Sequence, residues 1–237
     1  MKLRVWRMLA LLCLPLVSAF PHIAFAYVVK YDITGTITNF PDNNDLVAGL
    51  LEPTDPFHLT ATLDQSTKTP VSTETAVYSA TVPQHTLAVQ VGTIYGMWAG
   101  TRPIEGTVRD NYLGNPGAFT VGEFTGEPPA GSATGGSTLD PSFVLDGMNA
   151  GFHMEDVDGS AWTSTDLPLS INILDFEYTS FTFIGVASRE GVDRGIFQMN
   201  GYITDVVTTV IPVPPAFYLL GSGLVGLVAM ARRRTQS

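Results

Sequence analysis

Apolar and polar residues alternate along much of this chain. Val29, Tyr31, Ile33 and Ile37 are interleaved with Lys30, Asp32, Thr34 and Thr36, and a period of two marks a strand with one buried and one wet face. Phe57, Leu59, Ala61 and Leu63 repeat the pattern, with His58, Thr60 and Thr62 outward. Leu87, Val89 and Val91 do so again. Ala118 to Thr125, Gly147 to Met154, Phe181 to Ala187 and Ile196 to Val207 are further strand candidates. Between the last two, Glu190-Gly191-Val192-Asp193-Arg194-Gly195 supplies hairpin-turn chemistry. No long segment carries the 3.6-residue period of a helix. The pattern predicts an all-β protein, a single antiparallel β-sandwich (jelly-roll-like) domain over residues 27–210. Gly126 to Thr138, Gly-Glu-Pro-Pro-Ala-Gly-Ser-Ala-Thr-Gly-Gly-Ser-Thr, is low in complexity and reads as a long surface loop that packs no core.

The two ends break this pattern. Lys2, Arg4 and Arg7 precede an apolar stretch from Met8 to Val17, and Ala24-Phe25-Ala26 follows. A charged start, a short apolar run and a small-x-small site make residues 1–26 a secretory signal peptide, with Ala24 and Ala26 the small residues of the cleavage site. At the other end, Ile211-Pro212-Val213-Pro214-Pro215 is expected to block helix and strand alike, because proline fixes φ and lacks a donor. Ala216 to Ala231 then runs without a charge. As a transmembrane helix it would be about 24 Å long, a brief span. Arg232, Arg233 and Arg234 follow directly, and cations at that edge stay cytoplasmic, which leaves the middle of the chain outside. Gly221, Gly223 and Gly226 thin one side of the helix, where Ser222 and Gly226 form a small-xxx-small pair that can seat another helix.

This tail resembles a known sorting signal. Pro212, Val213 and Pro214, then Leu220-Gly221-Ser222-Gly223-Leu224, then Arg232 to Arg234 are similar to the PEP-CTERM family, in the variant that reads Val-Pro-Leu-Pro-Ala before a Gly-Ser-Gly-Leu helix. The family's namesake Glu is Val213 here, and Pro215 stands where a small residue is usual. The resemblance implies that an exosortase, a membrane transpeptidase of Gram-negative bacteria that make exopolysaccharide, cuts near the prolines. It implies passage from a transient inner-membrane anchor to the cell surface or extracellular matrix. Tyr31 to Thr38, Phe57 to Asp64, Asp158 to Trp162 and Thr165 to Pro168 are similar to stretches of secreted proteins bearing this tail, a likeness that implies no activity.

Charge sharpens the picture. The 22 carboxylates lie between Asp32 and Asp205, and residues 27–210 hold six cations, so the net charge of residues 27–210 is -16. An anionic duplex or membrane surface repels such a domain, which disfavours nucleic-acid binding. Contact with an anionic polysaccharide would need bridging cations. The one cysteine, Cys13, falls in the leader, which removes disulfides, thiol nucleophiles and cysteine-ligated metals from the middle.

Candidate chemistry is sparse. His58, His85 and His153 have no helical spacing and are expected as solvated surface histidines. Glu155, Asp156 and Asp158 follow one another near a strand end, and Glu105 with Asp110 and Glu123 with Glu127 are other local acid pairs for a carboxylate-dependent hydrolase. Asp156-Val157-Asp158-Gly159 is a fragment of calcium-loop chemistry, so Asp156 and Asp158 are candidate calcium ligands, as is the loop Asp42-Asn43-Asn44-Asp45. The third acid of an EF-hand is missing, and an Asx turn uses the same residues. No nucleophile elbow, phosphate loop or dinucleotide fingerprint is present. Trp98 or Trp162, exposed beside polar side chains, would suit stacking on sugar rings. The expectation is a non-enzymatic surface or matrix protein without catalytic residues. A carbohydrate-binding module and an extracellular hydrolase are the alternatives.

Overall fold

The computed structural model describes residues 27–39, 45–110, 117–122, 128–158, 161 and 164–212. The expected signal peptide, residues 1–26 with Ala24 and Ala26, lies outside them. So does the tail beyond Pro212, with Val213, Pro214, Gly221, Gly223, Arg232, Arg233 and Arg234. Among the described residues, no helix is long and apolar enough to cross a membrane.

The described residues form twelve strands: β1 (Tyr27–Asn39), β2 (Pro56–Asp64), β3 (Lys68–Pro70), β4 (Thr75–Ala80), β5 (Thr86–Val91), β6 (Ile94–Trp98), β7 (Ile104–Arg109), β8 (Gly117–Gly122), β9 (Ala133–Ser137), β10 (Val144–Asp156), β11 (Tyr178–Arg189) and β12 (Val192–Pro212). Gln65–Thr67 and Ile173–Asp175 are 3-10 turns. The all-β, antiparallel class expected from the alternation is what forms. Its ladder is one continuous sheet, ordered β11-β12-β1-β2-β5-β6-β9-β10-β8-β7-β4-β3, rather than two separate ones. The thirteen residues of β10 cause this. Val144 and Leu145 pair with β9, Gly151 to Asp156 pair with β8, and the opposite edge pairs with β11. The ladder therefore closes on itself through β10 and β11.

The predicted inward sets are the observed ones. Val29, Tyr31, Ile33 and Ile37 are fully buried, as are Leu59, Ala61 and Leu63. Each large apolar side chain so placed contributes about 1.5–3 kcal/mol. Tyr31 of β1 meets Phe119 of β8 at 5.0 Å between ring centroids, and Phe119 meets Phe152 of β10 edge-on at 5.2 Å. Phe57 of β2 stacks on Phe181 of β11 at 3.9 Å. Such ring pairs add about 0.5–1.5 kcal/mol beyond burial.

Three local expectations are corrected. The glycine-rich run is no loop throughout: Ala133–Ser137 is β9, held between β6 and β10. A Cβ on Gly135 would fall 2.2 Å from the Tyr95 carbonyl oxygen, so glycine there permits close approach of two backbones. The hairpin turn is tighter than predicted, since Arg189 already faces Val192 and Gly191 takes φ +78°. Ile211 and Pro212 do not break the strand; they end β12, where a missing donor at the last residue costs no central ladder bond.

Residues Tyr27–Ile211 form one compact unit. Its first and last strands are neighbours. Thr204 donates to the Thr34 carbonyl and Thr38 to the Asn200 carbonyl, as antiparallel neighbours do. The segment 164–169 crosses this end of the sheet. The buried Tyr31 hydroxyl donates to the Pro168 carbonyl (3.0 Å) and the Tyr78 hydroxyl to the Thr165 carbonyl (2.6 Å), while Leu167 is 1% exposed. Burial pushes both phenols well up, which keeps them as donors. Lys68 pairs with Asp166 at 2.7 Å on the outside.

Candidate functional site

The calcium-ligand candidates are brought together, with an addition. Asp156 is the last residue of β10 and its side chain turns inward, 1% exposed. Asp158 follows two residues on. Glu155 pairs with Tyr178 across the β10–β11 ladder, so the residue before Tyr178, Glu177, arrives beside the end of β10. Ligand atoms of Asp156, Asp158 and Glu177 lie within 4.8 Å of one another. The Ala161 amide donates to Asp156 Oδ2 (2.6 Å) and the Val157 amide to Glu177 Oε2 (2.8 Å). Three hard oxygens are the beginning of a calcium shell, which takes six to eight. Glu177 was not legible, because only strand register joins it to residues 21 and 19 positions earlier. In the other acidic loop, residues 42–44 lie outside the described residues.

The histidines do not converge on a metal. His58 is half-exposed and faces Asp32 at 3.3 Å. His153 faces Thr120 Oγ1 through Nδ1 (2.7 Å) and Glu155 Oε2 through Nε2 (3.3 Å). Hydroxyl, imidazole and carboxylate in that order resemble a nucleophilic site, but these are members of a cross-strand row, Thr107, Thr120, His153 and Ser180, on the open face of the sheet. His85 departs from expectation outright. It is fully buried, Nδ1 donating to the Ile104 carbonyl (2.9 Å) and Nε2 facing Thr67 Oγ1 (3.0 Å). Thr67 also donates to the Asp64 carbonyl (2.7 Å). Burial lowers the His85 pKa, against the Ile104 carbonyl, which raises it.

Of the acids named for a hydrolase, Asp156 and Asp158 are drawn together in the cluster above. Glu105 points outward from β7 and bonds Ser79 (3.2 Å), while Asp110 lies at the strand's far end. Glu123 and Glu127 lie outside the described residues.

Trp98 is not a stacking platform. It is 6% exposed, its indole N–H reaches the Arg102 carbonyl (3.3 Å), and Gly100 packs on the ring. It walls a hollow of about 310 Å³ with Leu87, Ile104 and Ala150, and with Arg102 and Glu105 also lining it. Trp162 lies outside the described residues. On the opposite, outward face of the strand that carries Trp98, Tyr95 is 48% exposed. Compared with protein-family models, curated proteins and solved structures, the chain matches none.

Proposed function

We propose that this is a non-enzymatic, exported protein of the cell surface or extracellular matrix, released from a temporary inner-membrane anchor by an exosortase-type transpeptidase. The observation that carries it is the order of elements at the C-terminus: proline spacer to Pro215, uncharged Ala216 to Ala231, then Arg232 to Arg234, opposite a leader that ends at Ala26. Support comes from the compact unit, whose limits at Tyr27 and Ile211 fall at the proposed leader cleavage and at the proline spacer. Cutting there would leave the ladder whole.

As part of the same proposal, the continuous sheet folds over as a two-layer, jelly-roll-like sandwich. The contacts of Tyr31 with Phe119 and Phe152 support two facing layers. An exopolysaccharide is the proposed matrix partner. The test is intact-mass spectrometry of the protein from culture medium and matrix, in strains with and without an active exosortase. Release of chains that begin at Tyr27 and end within residues 211–216, only in the active strain, is expected. Matrix protein that still ends at Ser237 would refute the processing.

A further inference from the structure

The acidity of the domain is unevenly spread. The outward side chains from Val28 to Thr38 on β1, Pro56 to Thr62 on β2, Thr86 to Gln90 on β5, Tyr95 and Met97 on β6, and Thr134 on β9 include one cation and one carboxylate. These are Lys30 and Asp32, and they neutralise each other at 2.7 Å. The next acid, Asp64, sits at the strand's end and caps the 3-10 turn. Five adjacent strands of a domain with net charge -16 thus present a neutral plane of threonine hydroxyls, an amide, an imidazole and one phenol.

Register places Thr34, His58, Gln90 and Tyr95 in one row across four strands, spanning about 14 Å at the usual strand spacing. Tyr95 lies over β9: a Cβ on its partner Gly136 would be 3.3 Å from the phenol oxygen and 3.6 Å from Cζ. Glycine lets the ring rest on the sheet, with the opposite face open to solvent. We infer that this plane binds a neutral polysaccharide laid across the strands, one sugar ring against Tyr95 and its hydroxyls bonded to Gln90 and His58. Apolar C–H faces suit the open ring, and polymer hydroxyls suit a row of neutral donors and acceptors. An anionic polymer is repelled by the surrounding acids. A second copy of the chain fits less well, because a stable protein interface wants an apolar centre and this plane offers Tyr95 and Met97 amid hydroxyls. The inference is independent of how the chain is delivered.

The test is affinity electrophoresis of the full chain in a polyoxyethylene detergent, which carries no sugar. The gels contain hydroxyethylcellulose, galactomannan or dextran, with polygalacturonate as the acidic comparison. At least one neutral polymer should retard the protein and polygalacturonate should not. Tyr95→Ala should weaken that retardation about tenfold, and Gln90→Ala should weaken it with the ring in place. Tyr95→Phe should retain it, as should Tyr178→Ala on β11, where the ring is 62% exposed. Absence of retardation by all three neutral polymers overturns the inference. So does equal retardation by polygalacturonate, retention of binding in both Tyr95→Ala and Gln90→Ala, or a dimer on gel filtration that Tyr95→Ala dissolves while no glycan binds.

Discussion

Replacing Gly135 by Ala separates a loop from a strand by the sign of the effect. In a flexible surface loop the change removes unfolded-state freedom and stabilises by about 0.4–1 kcal/mol. In β9 the new methyl would sit 2.2 Å from the Tyr95 carbonyl oxygen and 2.8 Å from Gly96 Cα. Both are backbone, held by the β6–β9 ladder, so no flexible side chain can yield. Overpacking of this kind costs about 1–3 kcal/mol, and the upper half of that range applies where two main chains must part. A domain of this length loses about 2–4 °C of melting temperature per kcal/mol, so a fall of roughly 4–12 °C is expected. Thr134→Val, outward on the same strand, should stay within about 0.5 kcal/mol of the wild type. Thermal unfolding followed by circular dichroism reads both. A Gly135→Ala midpoint equal to or above that of the wild type would refute the account of β9.

Three further outcomes are expected. His85 has a folded-state pKa below its ordinary 6.5, so the unfolded chain takes up that proton first. Its share of stability is full above about pH 6.5 and is lost as pH falls through the lower folded value. Urea midpoints should drop as pH falls below about 6.5, less steeply in His85→Gln, and equal slopes for the two proteins would contradict this. Hydrogen bonds from Ser142 hold Asp140, and one from Lys68 holds Asp166, below the ordinary 3.8; a second loss of stability therefore begins below about pH 4, smaller in Asp166→Asn. Tyr31→Phe and Tyr78→Phe each strip a hydrogen bond from segment 164–169, costing about 1 kcal/mol, and limited proteolysis should cut that segment faster in both; unchanged cleavage rates would show that buried Leu167 and the bonds of Asp166 hold it without the phenols.

What was legible followed from period and burial. β1, β2 and β5 alternate strictly because one face meets the core and the other water, and their inward residues were identified individually. β6 and β7 were missed because Gly96 and Gly106 stand at inward positions where an apolar side chain would have signalled a strand. Those glycines make room for neighbours: a Cβ at 96 would meet Leu145 at 2.5 Å, and one at 106 would meet Leu63 at 2.6 Å. β9 was hidden for the same reason, its composition set by clearance rather than hydrophobicity. His85 looked like a surface residue because nothing nearby in sequence announces the Ile104 carbonyl and Thr67 hydroxyl that satisfy it. Asp156 and Asp158 were found from local spacing. Glu177 and the Tyr95 row depend on which strands lie side by side, which no local pattern encodes.

The pairing of β1 with β12 has a consequence for the order in which the molecule is made. Any chain that emerges amino end first, from a ribosome or through a pore, exposes its opening strand long before the closing one. Until Ile211 has cleared the exit, the edge of β1 that β12 will cover stays open, and loop-closure entropy across nearly the whole domain opposes its completion. Completion is thus timed to the end of delivery. In the interim, mutual repulsion among the 22 carboxylates helps keep half-emerged copies apart.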